Sequence, residues 1–328
     1  MRAPGFWVGS GGIAPLLLTP LSAIYAGATA RRMARRGWQA PVPVICCGNA
    51  TAGGAGKTTV ALDIGRRLAN RGIAAHFLLR GYGGSLKGPL RVDPDAHDST
   101  QVGDEALLLA ETRPTWISGD RGAGAQAAVA AGAQAIVMDD GLQNPTLEKD
   151  LSLLVIDGGF GFGNGRVIPA GPLREPVAAA AARSGAAVLI GKDETGALSQ
   201  LPPGLPVLRA KLVAGPEAAM LAGQPVFAFC GIANPQKFFA TLQEAGAVLA
   251  GREAFADHYP YDEGDLKELL AQAETLRAVA VTTKKDFVRI PAQFRSRVTV
   301  VTVSLAWEEP AAVESLLDPL AAKVPIPA

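Results

Sequence analysis

Residues 48–59 read Gly-Asn-Ala-Thr-Ala-Gly-Gly-Ala-Gly-Lys-Thr-Thr, and no other stretch constrains the chain as strongly. The segment follows the apolar run Val42-Pro43-Val44-Ile45-Cys46-Cys47 and precedes a helical pattern from Val60 to Leu68. Strand, glycine-rich turn and helix are the context that a phosphate-binding loop requires. The candidate nucleotide loop is therefore Thr51, Ala52, Gly53, Gly54, Ala55, Gly56, Lys57, Thr58 and Thr59. Its glycines let the backbone turn tightly and aim N–H groups at phosphate oxygens, and the helix N-terminus adds favourable dipole charge. Lys57 is placed to reach the outer phosphates and Thr58 to ligate Mg²⁺. The match to G-x-x-x-x-G-K-[ST] departs at its first position, which is Thr51.

Strands alternate with helices downstream. Ile73–Leu79, Thr115–Ser118, Ala135–Met138, Leu151–Asp157 and Ala186–Ile190 read as strands, and Arg121–Ala131 as an alanine-rich helix. This order predicts an α/β fold of the P-loop NTPase kind, a mostly parallel sheet covered by helices on both faces, with ligands at the carboxyl ends of the strands. A second, smaller α/β domain is expected from residue 216, with strands at Val226–Cys230, Ala278–Thr283 and Val298–Val303 and a helix at Pro235–Ala245. The expected division is an N-terminal segment 1–40, a core domain 41–215 and a small domain 216–328. A formal net charge of +1 gives no sign of a nucleic-acid partner. The three cysteines form no disulfide framework, fit a reducing compartment, and lie in no cluster with zinc-ligand spacing. No sequence feature calls for an obligate protein partner.

Residues 5–29 are mostly apolar and lead into Arg31, Arg32, Arg35 and Arg36. Pro15, Pro20 and several glycines interrupt the run, so an unbroken spanning helix is not expected. A cleaved leader would carry its charge before the apolar run, not after it. The pattern fits a helix lying in a membrane interface, against the alternative of a helix packed on the core with a solvated basic end.

Asp139 ends a buried strand after Ile136-Val137-Met138, the place from which a carboxylate approaches Mg²⁺ held by a P-loop threonine. Asp104 and Glu105 open a helix, where the dipole favours carboxylates whether or not they act. Arg174 and Glu175 read also as an ion pair in a surface loop, and a lone histidine such as His258 is more often structural than catalytic.

Taken together, Gly48-Asn49, Gly53-Gly54-x-Gly56-Lys57-Thr58, Arg80-Gly81-Tyr82-Gly83, Val102-Gly103-Asp104-Glu105, Asp139-Asp140-Gly141-x-Gln143, Pro169-Ala170-Gly171-Pro172-Leu173-Arg174-Glu175-Pro176 and Asp257-His258-x-x-Tyr261 occur in an order that resembles the tetraacyldisaccharide 4'-kinase (lipid A 4'-kinase) family. The resemblance covers nearly the whole chain. It implies a P-loop kinase that uses ATP and Mg²⁺ to phosphorylate the 4'-hydroxyl of a tetraacyldisaccharide 1-phosphate lipid. It also implies a place at the cytoplasmic face of the bacterial inner membrane. By resemblance, Asp104 and His258 form a catalytic dyad, with Lys57 at the phosphates. Thr58, Glu105 and Asp139 surround the metal, with Asp140 beside it, and Tyr82, Arg174 and Glu175 are further active-site positions. Thr59, Ala106, Leu142, Asn144 and Lys284 depart from the family pattern.

Two rival readings exist. A partitioning-type ATPase would carry a second lysine early in the loop, where this chain has Ala52. Thr283-Lys284-Lys285-Asp286 fits the [NT]-K-x-D guanine-reading pattern of a GTPase.

Overall fold

The computed structural model describes residues 4–9 and 12–324. Residues 1–3, 10 and 11 of the expected N-terminal segment, and 325–328 of the expected small domain, lie outside the described residues.

Helix α1 (Ile13–Met33) leads into β1 (Val44–Gly48) and α2 (Lys57–Asn70), the strand and helix that bracket the glycine-rich loop. Strands β2 (Ala75–Leu79) and β3 (Leu90–Arg91) follow, then α3 (Ser99–Val102), α4 (Asp104–Ala110), β4 (Thr115–Ile117) and α5 (Arg121–Ala130). Next come β5 (Ala135–Asp139), β6 (Leu151–Asp157), α6 (Val177–Ala182), β7 (Ala186–Ile190) and β8 (Val207–Ala214). The later chain forms α7 (Pro216–Ala219), β9 (Pro225–Cys230), α8 (Pro235–Glu244), β10 (Val248–Ala254), α9 (Glu263–Thr275), β11 (Val279–Thr283) and α10 (Lys284–Phe287). It ends in β12 (Thr299–Val301), β13 (Val303–Trp307) and α11 (Pro310–Ala321).

Among the described residues, nine strands build one sheet in the order β13-β8-β7-β6-β1-β5-β2-β4-β3. All pairs are parallel except β13 with β8 and β3 with β4 at the two edges. Strands β1, β5 and β2 are buried throughout, and one apolar cluster packs on each face of the sheet. This is the covered, near-continuously apolar pattern of a parallel α/β sheet. Four further strands form a second parallel sheet, β10-β9-β11-β12, with its own two-sided core.

The apolar run Val298–Val303, read as one strand, serves both sheets. It divides at Thr302, whose N–H donates to Glu217 and whose carbonyl accepts from Gly215. Residues before this point pair with β11, and those after it pair with β8. Residues 303–321 therefore pack on the larger sheet rather than in the small unit expected to run to 328. Trp307 Nε1 donates to Asp63 Oδ2 on α2 at 2.7 Å, and Arg67 of α2 and Arg71 just beyond it pair with Glu314 of α11. Strands β8 and β10 escaped the sequence reading because residues along them alternate between more and less exposed, without a continuous apolar run.

The prolines of the N-terminal segment do not break it: α1 is continuous over 21 residues. Pro15 sits in the first turn, where its missing N–H has no helical partner to lose. Thr19 Oγ1 donates to the Pro15 carbonyl at 2.9 Å just before Pro20. The helix is inverted with respect to the body. Ile13, Leu16, Leu17, Leu21 and Ile24 face outward, with Leu17 73% exposed, whereas Ser22 and Thr29 are buried against the protein.

The return of the C-terminus generates a stability prediction. Trp307→Phe removes the donor to the buried, charged Asp63 and is expected to lower stability by about 1–2 kcal/mol in urea unfolding. A change below about 0.3 kcal/mol would mean that this contact does not hold α11 and β13 in place.

Candidate active site

The site lies at the carboxyl ends of β1, β5 and β2, where the glycine-rich loop turns into α2. Gly53 (φ 132°) and Gly56 (φ 83°) take up the positive dihedrals that the turn demands. A Cβ on Gly56 would also lie 2.7 Å from Ile190 Cδ1. Thr51 needs no such freedom, which explains the departure at the first motif position. It lies in an antiparallel bridge with Leu173, buried, with its hydroxyl accepting from Asn49 Nδ2 at 3.0 Å. The Pro-Ala-Gly-Pro-Leu-Arg-Glu segment thus braces the loop: Ala52 N–H donates to Pro172 O and Arg174 N–H to Ala50 O, both at 2.7 Å.

Lys57 Nζ donates to Asn49 Oδ1 at 3.1 Å and lies 3.6 Å from Asp140 Oδ1. Arg174 approaches the same Asp140 oxygen at 2.7 Å. Asp140 has a left-handed backbone (φ 55°), an uncommon conformation for a non-glycine residue and one that concentrates at functional sites. Burial alone would raise its carboxyl, but the charges of Lys57 and Arg174 hold it below the usual carboxylate range. Thr58 Oγ1 donates to Asp139 Oδ2 at 2.7 Å. The other oxygen, Asp139 Oδ1, is buried and has no hydrogen-bond partner among the described residues. Burial, together with the Glu105 charge, pushes the Asp139 carboxyl up to about 7. A buried acceptor without a partner in a negative field has the chemistry that a divalent cation fits. Among the described residues no three His, Cys, Asp or Glu side chains converge into a closed cage, as suits Mg²⁺, which keeps water and phosphate ligands.

Asp104, at the start of α4, meets His258 from the second unit, 154 positions away. His258 Nδ1 lies 2.9 Å from Asp104 Oδ2 and 3.1 Å from Oδ1. His258 also has a left-handed backbone (φ 61°), pinned by its N–H donating to Gly231 O at 3.0 Å. Burial would raise the Asp104 carboxyl; the hydrogen bond from His258 and the charges of Lys285, His258 and Arg289 hold it below its ordinary value. The same hydrogen bond raises His258 above its ordinary value, against the opposing effect of burial. The Tyr82 ring stands 6.1 Å from the His258 ring and is largely exposed.

Glu105 does not touch Thr58 or Asp139; it accepts from Lys285 Nζ of α10 at 3.0 Å. Glu175 is buried and accepts from Arg183 and from Gln143 Nε2, which also donates to Asn49 O. Sequence reasoning missed Asn49, Gln143, Lys285 and Arg289. The first two stand inside quoted motifs, yet an uncharged amide carries no spacing signal of its own, and Lys285 stands in the guanine-reading pattern only at its variable position. Arg289 is buried and approaches Asp104 Oδ2 at 3.6 Å while donating to Gly231 O and Tyr259 O. Asp286 of the guanine-reading pattern is fully buried and accepts from Gly231 N, Tyr261 Oη and Arg289.

A model of the tetraacyldisaccharide-1-P 4'-kinase family matches residues 14–321. The chain belongs to this kinase family. It is 58% identical to the tetraacyldisaccharide 4'-kinase of Gluconacetobacter diazotrophicus, over 97% of this chain and 98% of that protein. It is 54% identical to the protein of the same name from Rhodospirillum rubrum, over 98% of each. The fold is that of LpxK from Aquifex aeolicus, solved in complex with ATP, with a TM-score of 0.75 at 24% identity over 93% of this chain and 99% of that one.

The raised His258 sets a pH window for this kinase. A histidine raised on folding contributes stability that is complete below its unfolded value, about 6.5, and disappears as pH rises through the folded value. The melting-temperature gap between wild type and His258→Gln is therefore expected to be widest below about pH 6.5 and to shrink toward pH 9. A gap that stays constant across that range would show that His258 is not an ion-pair partner of Asp104.

Proposed function

We propose that the chain works as its family does, as an ATP-dependent kinase phosphorylating the 4'-hydroxyl of a tetraacyldisaccharide 1-phosphate in lipid A biosynthesis, with Asp104, His258 and Lys57 as its catalytic residues. The observation that carries the residue assignment is the contact of Asp104 with His258, a carboxylate and an imidazole supplied by two units to one cleft beside the phosphate loop.

Phosphoryl transfer needs positioning and charge neutralisation more than covalent chemistry. In this reading the backbone of Thr51–Thr59 cradles the phosphates. Lys57 exchanges its Asp140 contact for the outer phosphates. Asp104, held ionised, accepts the proton of the attacking 4'-hydroxyl as the new oxygen–phosphorus bond forms and the bond from the γ-phosphorus to the β–γ bridging oxygen breaks, releasing ADP. An ionised carboxylate only accepts, so His258 donates through Nδ1 and fixes the direction of Asp104. Thr58 and Asp139 would hold Mg²⁺, with Glu105 joining once Lys285 releases it. The ion supplies charge neutralisation at the β- and γ-phosphates. Arg174 keeps Asp140 from competing for Lys57, and Glu175 supports the loop through Gln143. Tyr82, exposed beside His258, lines the side from which the sugar approaches.

The deciding measurement is transfer of labelled phosphate from ATP to the purified disaccharide acceptor. Lys57→Ala and Asp139→Ala are each expected to lower kcat by at least about a hundredfold. Asp104→Ala and His258→Ala should lower kcat more than they raise the KM for ATP, and their combined loss should be far less than additive. Additive losses, or full turnover by Lys57→Ala, would overturn the assignment.

The membrane reading rests on α1. It is long and apolar enough to cross a bilayer by length and composition, and its apolar side chains point away from the body. Its last turn and the residues beyond carry Arg31, Arg32, Arg35 and Arg36, suited to an anionic cytoplasmic leaflet. Replacing these four arginines by glutamine is expected to weaken binding to anionic vesicles by about 1 kcal/mol for each one at the surface, with the effect fading as salt rises. Equal flotation of variant and wild type at low salt would remove the electrostatic part of this reading.

A further inference from the structure

Helix α1 turns most of its large apolar side chains outward, and its hydrogen bonds to the body, with those of residues 6 and 7 just before it, converge on one segment. Ser22, 7% exposed, donates its hydroxyl to Val167 O at 2.7 Å and accepts from Ala170 N–H at 3.2 Å. Thr19 Oγ1 accepts from Arg166 at 3.0 Å, and Trp7 Nε1 donates to Pro169 O at 3.3 Å. Asn164 joins the same cluster, donating to Phe6 O and to Ala170 O. Every one of these contacts falls on residues 164–170.

The continuation of that segment is what braces the nucleotide loop, through the Leu173–Thr51 bridge and the hydrogen bonds of Pro172 O and Arg174 N–H. Its Arg174 side chain then neutralises Asp140 beside Lys57. A continuous chain of hydrogen bonds therefore runs from the buried face of α1 to the phosphate loop. It passes through one short irregular segment, with Ser22 at its head.

We infer that Ser22 is a positioning residue for phosphoryl transfer: it couples the seating of α1 to the geometry of the nucleotide loop through residues 164–175. This inference rests on the reading of residues 51–59 as the ATP-binding loop. Without the Ser22 hydroxyl the segment loses a donor and an acceptor at once, and Val167 O and Ala170 N–H are left without that partner. The segment that pairs Leu173 with Thr51 then keeps its contacts with Thr19, Trp7 and Phe6 but loses its one buried anchor on α1.

The test uses the full chain in detergent and in anionic vesicles. Ser22→Ala keeps the helix, since alanine is the best helix former. It is expected to raise the KM for ATP about tenfold, the equivalent of one buried hydrogen bond lost with its partners unsatisfied. Vesicle flotation should stay unchanged, because the outward apolar side chains are untouched. Ser22→Thr, which restores the hydroxyl, should return the KM to within about twofold of wild type. Amide hydrogen exchange in Ser22→Ala should quicken together in residues 50–56 and 166–174. The inference is overturned if the KM for ATP is unchanged, if only 166–174 exchanges faster, or if Ser22→Thr fails to rescue. Turnover by Lys57→Ala, measured alongside, separates the two readings. Loss of turnover there with a silent Ser22→Ala sinks the coupling alone, whereas retained turnover sinks the nucleotide-loop reading itself.

Discussion

Four carboxylates, Asp104, Glu105, Asp139 and Asp140, gather at one site, and burial together with the charges of Glu105 and Asp140 raises the Asp139 carboxyl. Like charges sharing a poorly solvated site raise one another's pKa and oppose folding. The chain answers with a cation from a separate segment for nearly every one. Lys57 and Arg174 serve Asp140, Lys285 serves Glu105, and His258 and Arg289 serve Asp104. Asp139 is the exception: among the described residues it has a hydroxyl on one oxygen and nothing on the other. The imbalance lies beside the glycine-rich loop, and in the reading proposed above a bound Mg²⁺ would supply the positive charge that Asp139 lacks.

Much of this arrangement was legible in the sequence because it rests on short-range chemistry. A loop that needs positive φ announces itself by Gly53 and Gly56, and a buried strand ending in Asp139 by the run Ala135–Met138. Thr51 was readable as a departure, but its reason lies in a bridge to Leu173, more than a hundred positions away. Lys285 and Arg289 were invisible for the same cause: they matter through contacts with α4 that only the docking of two units creates. The division of Val298–Val303 between two sheets is likewise a long-range event, because its residues suit either sheet and the switch is made by partners of Thr302 in residues 215–217.

Helix α1 shows how a correct composition can still mislead about form. Prolines at positions 15 and 20 argue against an unbroken helix, yet the first falls in the opening turn and the second is flanked by Thr19 and Ser22, whose hydroxyls bond to carbonyls one turn back. The inversion of its faces is the more telling point. A helix that buries Ser22 and Thr29 and exposes Leu17 and Ile24 presents an apolar face that nothing in the protein covers. Its hydrogen bonds to the body are directional and so fix the position of what they touch.

The fate of Thr283-Lys284-Lys285-Asp286 shows why a motif is decided by burial rather than by its letters. Reading a guanine base requires a carboxylate with free acceptors facing a ligand. Asp286 is fully buried, and Gly231 N–H, Tyr261, Arg289 and its own cap residue Thr283 already occupy its oxygens. Exposing it to a base would strand those donors without partners, at a cost of about 1–3 kcal/mol for each. The same knot ties Gly231 to Arg289 and, through the Gly231 carbonyl, to the backbone of His258. What resembles a guanine-reading signature is thus the internal frame that delivers His258 to Asp104, and the chemistry of the small unit follows from that frame and not from the four residues read in isolation.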